Sequence, residues 1–147
     1  MKRTLLGIAL LGCSLSVSAD LVTKTSPHSV AETVDRLAAA VEKAGAKVFA
    51  RVDHAAGAAK VGAKLPANQM LMFGNPKLGT PAMQAGASMG LDLPLRVVVY
   101  EDASGTVWVK YHDPANVAAV HGVPSDAPVI KKMQGALNKL TGAAVAP

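Results

Sequence analysis

Leu95-Arg96-Val97-Val98-Val99-Tyr100-Glu101, then Asp102-Ala103-Ser104-Gly105, then Thr106-Val107-Trp108-Val109-Lys110-Tyr111 is the stretch that decides the fold. Two runs rich in β-branched and aromatic residues flank a four-residue, glycine-containing turn, which is the pattern of a β-hairpin. One antiparallel strand pair is thereby expected, and the rest of the chain has to pack on it. Val107, Val109 and Tyr111 fall on one face of the second run, and Trp108, Lys110 and His112 on the other. The valine face reads as core. The tryptophan face reads as an interface or a wet surface.

Outward from the hairpin, helices and strands alternate. Leu21 to Thr25 reads as a short strand. Ser29-Val30-Ala31-Glu32 has the spacing of a capping box, and Val30, Val34, Leu37 and Val41 recur at helical intervals until Gly45 ends the turn. Burying those four side chains contributes about 1.5–3 kcal/mol each before entropy is charged against them. Lys47 to Asp53 alternates as a strand, with Val48, Ala50 and Val52 expected on one face and Phe49, Arg51 and Asp53 on the other. This first strand, helix and strand can form a crossover unit.

Ala55 to Val61 is an alanine-rich helix. Gln69 to Phe73 is a buried strand, and Thr80-Pro81 has the cap-then-proline signature of a helix start running toward Gly90. Asp113-Pro114 opens another short helix. After Pro128, residues Val129, Ile130, Met133, Leu137 and Leu140 make an apolar stripe. The expected architecture is α+β: a single-domain, two-layer sandwich over residues 20–141, with a mixed sheet of about five strands and helices packed on it. The small, uncharged residues 142–147 are expected to be disordered.

The first residues read as a targeting segment. Lys2-Arg3, an apolar run from Leu5 to Leu11 and Val17-Ser18-Ala19 make a signal peptide over residues 1–19, too short to anchor as a transmembrane helix. Cleavage after Ala19 places a soluble chain in the periplasm or outside the cell. The alternative is a lipoprotein signal, Leu10-Leu11-Gly12-Cys13, with a lipid anchor on Cys13 holding the same domain to a membrane. Cys13 is the only cysteine, so neither route leaves the domain a disulfide or a thiolate. Cleavage after Ala19 removes two of the 15 Lys+Arg and none of the 10 Asp+Glu, which lowers the formal charge of +5. With five aromatics (Phe49, Phe73, Tyr100, Trp108, Tyr111) and no arginine cluster, nucleic acid is not expected as a partner.

Four polar blocks, punctuated by glycine or proline, lie where apolar runs begin or end: Asp53-His54-Ala55-Ala56-Gly57, Phe73-Gly74-Asn75-Pro76, Asp92-Leu93-Pro94-Leu95-Arg96 and Tyr111-His112-Asp113-Pro114. Together, over roughly residues 21 to 121, they resemble the bacterial family catalogued as domain of unknown function 302. The resemblance implies an α+β sandwich and suggests a homodimer. It brings no established activity.

The candidate ligand-binding residues come from those blocks: Asp53, His54, Asn75, Thr80, Asp92, Arg96 and Tyr111. A carboxylate beside an imidazole suits acid/base work, although Asp53 also suits a helix cap, with His54 packing at its edge. The segment Phe73 to Thr80 leads into a helix start whose free N–H groups, with Lys77, suit an anion; a turn built for geometry alone is the other reading. Arg96 can pair with Asp92 and turn its remaining donors to a carboxylate or phosphate. Tyr111 brings a ring to the core and a hydroxyl to a rim. His28 and His121 lie in loops and are expected to be solvated.

No serine-nucleophile, HExxH, P-loop or dinucleotide motif is present, so an enzyme would rest on Asp53, His54, Asp92, Arg96 and Tyr111 converging at one end of the sheet. Met70 and Met72, two apart on a strand, with Met83 and Met89 following, would suit Cu(I); core filling is the competing reading. No metal ligand or cofactor is assigned. The reading is a secreted, homodimeric binding or accessory protein for a small anionic or polar ligand, with an enzyme and a metal binder as alternatives.

Overall fold

The computed structural model describes residues 21–147. The expected signal peptide over residues 1–19, with Cys13, lies outside the described residues. In chain order the elements are β1 (Leu21–Ser26), α1 (Val30–Lys43), β2 (Lys47–Asp53), α2 (His54–Lys60), β3 (Asn68–Gly74), α3 (Pro76–Ala85), a 3-10 turn (Ala87–Leu91), β4 (Leu95–Glu101), β5 (Val107–His112), α4 (Pro114–Val120) and α5 (Pro128–Val145). The strands form one sheet in the order β1-β5-β4-β3-β2.

Every pairing is antiparallel, so the sheet is not mixed. The β1-α1-β2 unit therefore builds no neighbouring parallel pair. Its two strands are the opposite edges, and α1 crosses between them. The hairpin stands as read: β4 and β5 pair from Val98 opposite Lys110 to Glu101 opposite Val107, and Gly105 in the turn adopts φ 81°. That left-handed backbone is why glycine stands there.

One face of the sheet carries the core. Leu71 and Phe73 of β3, Val97 and Val99 of β4, and Val107, Val109 and Tyr111 of β5 pack with Val30, Val34, Leu37 and Val41 of α1 and with Leu137, Leu140 and Ala144 of α5. Ser29 caps α1, its side chain accepting from the Glu32 N–H, as the capping box requires. A smaller core at one end gathers Ala82, Met89, Ala118, Val123, Ile130 and Met133. Helix α5 enters both cores, which ties the end cluster to the sandwich.

Three local expectations change. Helix α3 starts at Pro76 with Asn75 as its cap, the Asn75 side chain accepting from Lys77 N–H; Thr80 and Pro81 lie inside the helix. The sequence offers two cap-proline pairs in a row, and the earlier one takes the helix. The pairing of β2 with β3 shifts register between Val48 and Ala50. Val48 lies opposite Phe73 on the core face, whereas Ala50 and Val52 lie opposite Met72 and Met70 on the other. Such a bulge reverses the alternation, and Arg51 reaches Asp35 of α1 from the core side. Residues 142–145 continue α5, with Ala144 fully buried, and the Ala146 carbonyl accepts from Arg36 and lies 2.7 Å from His28 Nε2. The expected disordered tail is a docked helix end.

Gly86, between α3 and the 3-10 turn, has no room for a side chain. A β-carbon there would lie 2.6 Å from Val123 Cγ2 and 3.4 Å from the His121 carbonyl oxygen. Gly86→Ala is expected to destabilise the fold by about 1–3 kcal/mol through overpacking. Urea denaturation checks this, and an unchanged midpoint would mean that Val123 moves aside freely.

Candidate functional site

The antiparallel order divides the sequence candidates between opposite ends of the sheet. Asp53 lies opposite Gln69 at one end of β3, whereas Arg96 lies opposite Met72 near the other. Asp53 acts as the cap of α2: its Oδ1 accepts from Ala56 N–H at 2.8 Å, and Gln69 Nε2 donates to its Oδ2 at 3.3 Å. His54 is exposed in the first turn of that helix. The expected convergence of Asp53 and His54 with Asp92, Arg96 and Tyr111 does not occur.

At the far end, Asn75 and Thr80 line a cleft of about 380 Å³ whose walls include Phe49, Leu78, Met83, Leu93 and Pro94. Its backbone donors are already spent. Lys77 N–H bonds the Asn75 side chain, and Leu78 and Gly79 N–H both bond the Asn75 carbonyl. Pro76 has no N–H to give. The anion site expected at Phe73 to Thr80 is therefore replaced by a mostly apolar cleft.

Asp92 and Arg96 do pair, and two further residues join them. Arg96 donates from its Nη2 to Asp92 Oδ1 at 2.6 Å. His121 Nε2 lies 2.8 Å from Asp92 Oδ2, and its Nδ1 lies 2.9 Å from Ser88 Oγ. Since a carboxylate only accepts, His121 donates to it from Nε2. The His121 side chain is 5% exposed, so it is a held group and not the solvated loop residue expected. The bond from His121, with Arg96 adding to it against a smaller opposing effect of burial, holds the Asp92 carboxyl below its ordinary value. Serine, imidazole and carboxylate stand in a row, but Ser88 does not line the apolar cleft. The row links the 3-10 turn to the end of α4.

Tyr111 is 5% exposed within the sandwich core. Burial raises its hydroxyl above the ordinary value, against a bond with Thr141 that lowers it. Asp113 caps α4 through Ala115 N–H and accepts from Gln134 of α5 at 2.8 Å. The methionines divide as well: Met70 and Met72 are half-buried on β3, Met83 is 40% exposed in the apolar cleft, and Met89 is fully buried in the end core. They do not form one thioether cluster. Among the described residues, no group of three or more His, Cys, Asp or Glu side chains is placed to hold a metal.

Sequence reasoning separated Trp108, Lys110 and His112 from the core but did not assemble what surrounds them. The register puts Leu21, Thr23 and Thr25 of β1, Trp108, Lys110 and His112 of β5, Arg96, Val98 and Tyr100 of β4, and Asn68, Met70 and Met72 of β3 on one face. No residue of this face is fully buried. A hollow of about 530 Å³ lies on it, lined in part by Met70, Arg96, Val98, Tyr100, Lys110 and His112. Lys110 Nζ stands 5.5 Å from the Tyr100 ring centre and 5.8 Å from that of Trp108, within cation–π range. Trp108 is fixed in turn by its indole N–H, which donates to Asp102 Oδ2 at 2.6 Å. Ser104 first, and then Trp108, hold the Asp102 carboxyl down to about 2.

An antiparallel sheet covered by helices on one side, with aromatic and basic side chains on the other, defines a single-domain two-layer α+β protein. The chain belongs to the family described as Domain of unknown function DUF302, whose model matches residues 22–140. A crystal structure of an uncharacterized conserved DUF302 protein from Bacillus stearothermophilus is similar, with a TM-score of 0.69 and 19% identity over 85% of this chain and 94% of that one. That likeness is one of fold. Among curated proteins, the chain is 46% identical over 121 residues to "Fluoride-specific ion channel FluC 1" of Brucella suis biovar 1 (strain 1330), which covers 81% of this chain and 48% of the relative. The protein named "Fluoride-specific ion channel FluC 1" in Brucella abortus biovar 1 (strain 9-941) matches at the same identity over 45% of its length. The chain thus spans about half the length of these curated relatives.

Proposed function

We propose that this chain is a homodimeric binding or accessory protein of the cell envelope, exported on its leader and carrying no chemistry of its own. The observation that carries this reading is the open sheet face, where Trp108, Tyr100 and Met70 remain partly exposed beside Lys110 and Arg96. A partly exposed aromatic face of this kind is the anatomy of a recognition surface. The wide separation of Asp53 and His54 from Asp92 and Arg96 supports binding over catalysis.

The Brucella relatives support the accessory part of the reading. Close to half of each matches this chain, and each is named as an ion channel, so a unit of this family works there within a protein named for membrane transport. We place the present chain beside such a membrane protein, either as a soluble partner or tethered at Cys13. The apolar cleft, with Phe49 53% exposed and Met83 40% exposed, supports the homodimer by offering it a contact surface.

Native mass spectrometry of the protein purified gently from its own envelope tests all three parts. A dimer whose chains begin at Asp20 and which retains a small-molecule mass is the expected result, and Phe49→Asp is expected to convert it to monomer. A bare monomer would sink both the dimer and the tightly held ligand, and a chain beginning at an acylated Cys13 would replace the soluble form with the tethered one.

A further inference from the structure

We propose that the hollow on the open sheet face is a binding site for a small organic anion with an apolar body, with Lys110 as its central charge. The inference rests on the binding-module reading above and adds to it a location and a ligand class.

The charge on this face is one-sided. Lys47, Arg96 and Lys110 all lie on it by register, and among the described residues the carboxylates near it stand at its two ends. Asp92 is occupied by Arg96 and His121. Asp102 is occupied by Ser104, Thr106 and Trp108. Glu101 lies opposite Val107 and therefore on the core face.

Lys47 and Lys110 are left with rings beside them, and of the two Lys110 lines the hollow. Lys110 lies opposite Val98 on one neighbouring strand and Thr23 on the other, in the middle of β5, and among the described residues its partners are two aromatic rings. A half-buried ammonium without an anion retains an unused interaction, and the rings hold it in place, so little ordering is needed on binding. Arg96 sits one strand over and two residues along, the diagonal spacing of about 7–8 Å at which two cations can share one anionic group. Beside the charges, Met70, Val98 and Leu21 give the hollow an apolar floor. Like charges make the face a poor match for a second copy of itself, and its shape and composition suit one compact amphiphilic anion.

The chain's single tryptophan is on the same face and reports on it directly. Anilinonaphthalene sulfonate serves as the anionic probe, and phenylnaphthylamine, with nearly the same ring body and no charge, as its control. The expected result is saturable energy transfer from Trp108 to the sulfonate, weaker at high salt, with at least tenfold weaker binding of the neutral compound. Lys110→Gln is expected to weaken sulfonate binding about tenfold, the size of one charged hydrogen bond, while Lys110→Arg restores it and Met83→Ala, in the separate cleft, leaves it unchanged. Circular dichroism on each variant separates a lost site from a lost fold. Sulfonate binding that Lys110→Gln leaves intact would overturn this site and leave the binding-module reading standing. The absence of saturable binding by either probe would overturn both. A dimer that excludes the sulfonate and dissociates on Trp108→Ala would assign the face to a second copy, and sedimentation with phosphatidylglycerol vesicles without binding of the soluble probe would assign it to a membrane; either result overturns the proposal.

Discussion

Phe73→Ala is expected to cost about 3–5 kcal/mol of folding stability, a large part of the 5–15 kcal/mol that holds a domain of this size together. The ring is 1% exposed on β3, which is paired on both sides, and it packs in the main core beneath α1 and α5. Removing it takes away the transfer energy of an aromatic side chain and leaves a cavity between a sheet and helices that cannot readily close. Urea denaturation at neutral pH would show a much lower midpoint with little change in slope. A loss below about 1 kcal/mol would mean that the sandwich collapses around the gap, and that the core is more plastic than its packing implies.

Asp92 is expected to give the second-largest effect, and a pH-dependent one. Asp92→Ala strands the donor of a nearly buried His121 ring nitrogen, at a cost of about 1–3 kcal/mol, and frees the 3-10 turn from the end of α4. The Arg96 contact adds little, because that pair is partly exposed. In the wild type, the bond from His121 is the first cause holding the carboxyl below its ordinary 3.8. A carboxyl depressed in the folded state contributes stability that is complete above the unfolded value, and that contribution is lost as pH falls through 3.8 toward the folded value. Unfolding midpoints measured from neutral pH down through this range should fall more steeply for the wild type than for Asp92→Asn. Equal slopes would remove Asp92 from the acid response.

The parts of the fold written in local chemistry were legible in the sequence. The hairpin announced itself by composition and turn, α1 by its capping box and apolar stripe, and the caps at Asp53 and Asp113 by residue type. Features that depend on a distant partner were not. The bulge between Val48 and Ala50 exists only in relation to β3, so alternation along β2 alone assigned Ala50, Arg51, Val52 and Asp53 to the wrong faces. Asn75-Pro76 and Thr80-Pro81 carry the same start signal, and nothing local ranks them.

The candidate site was legible in the same proportion. Asp92 and Arg96 are four apart and were paired correctly. His121 lies 29 residues from its carboxylate and carried no signal beyond being a histidine. Lys110 was placed on the correct face from strand parity, but its isolation among rings and cations follows from the strand order β1-β5-β4-β3-β2. That order is a property of the whole chain.

The same order has a consequence for synthesis. Translation delivers the chain from its N-terminus, and β1 precedes the other four described strands, yet its sheet neighbour is β5, with Leu21 opposite His112. Until most of the domain has emerged, β1 has no edge to join. A contact this remote in sequence is slow to close. During the wait, the β5 of a neighbouring unfolded copy offers an identical edge, so crowding of newly emerged chains exposes this fold to exchange of β1 between copies.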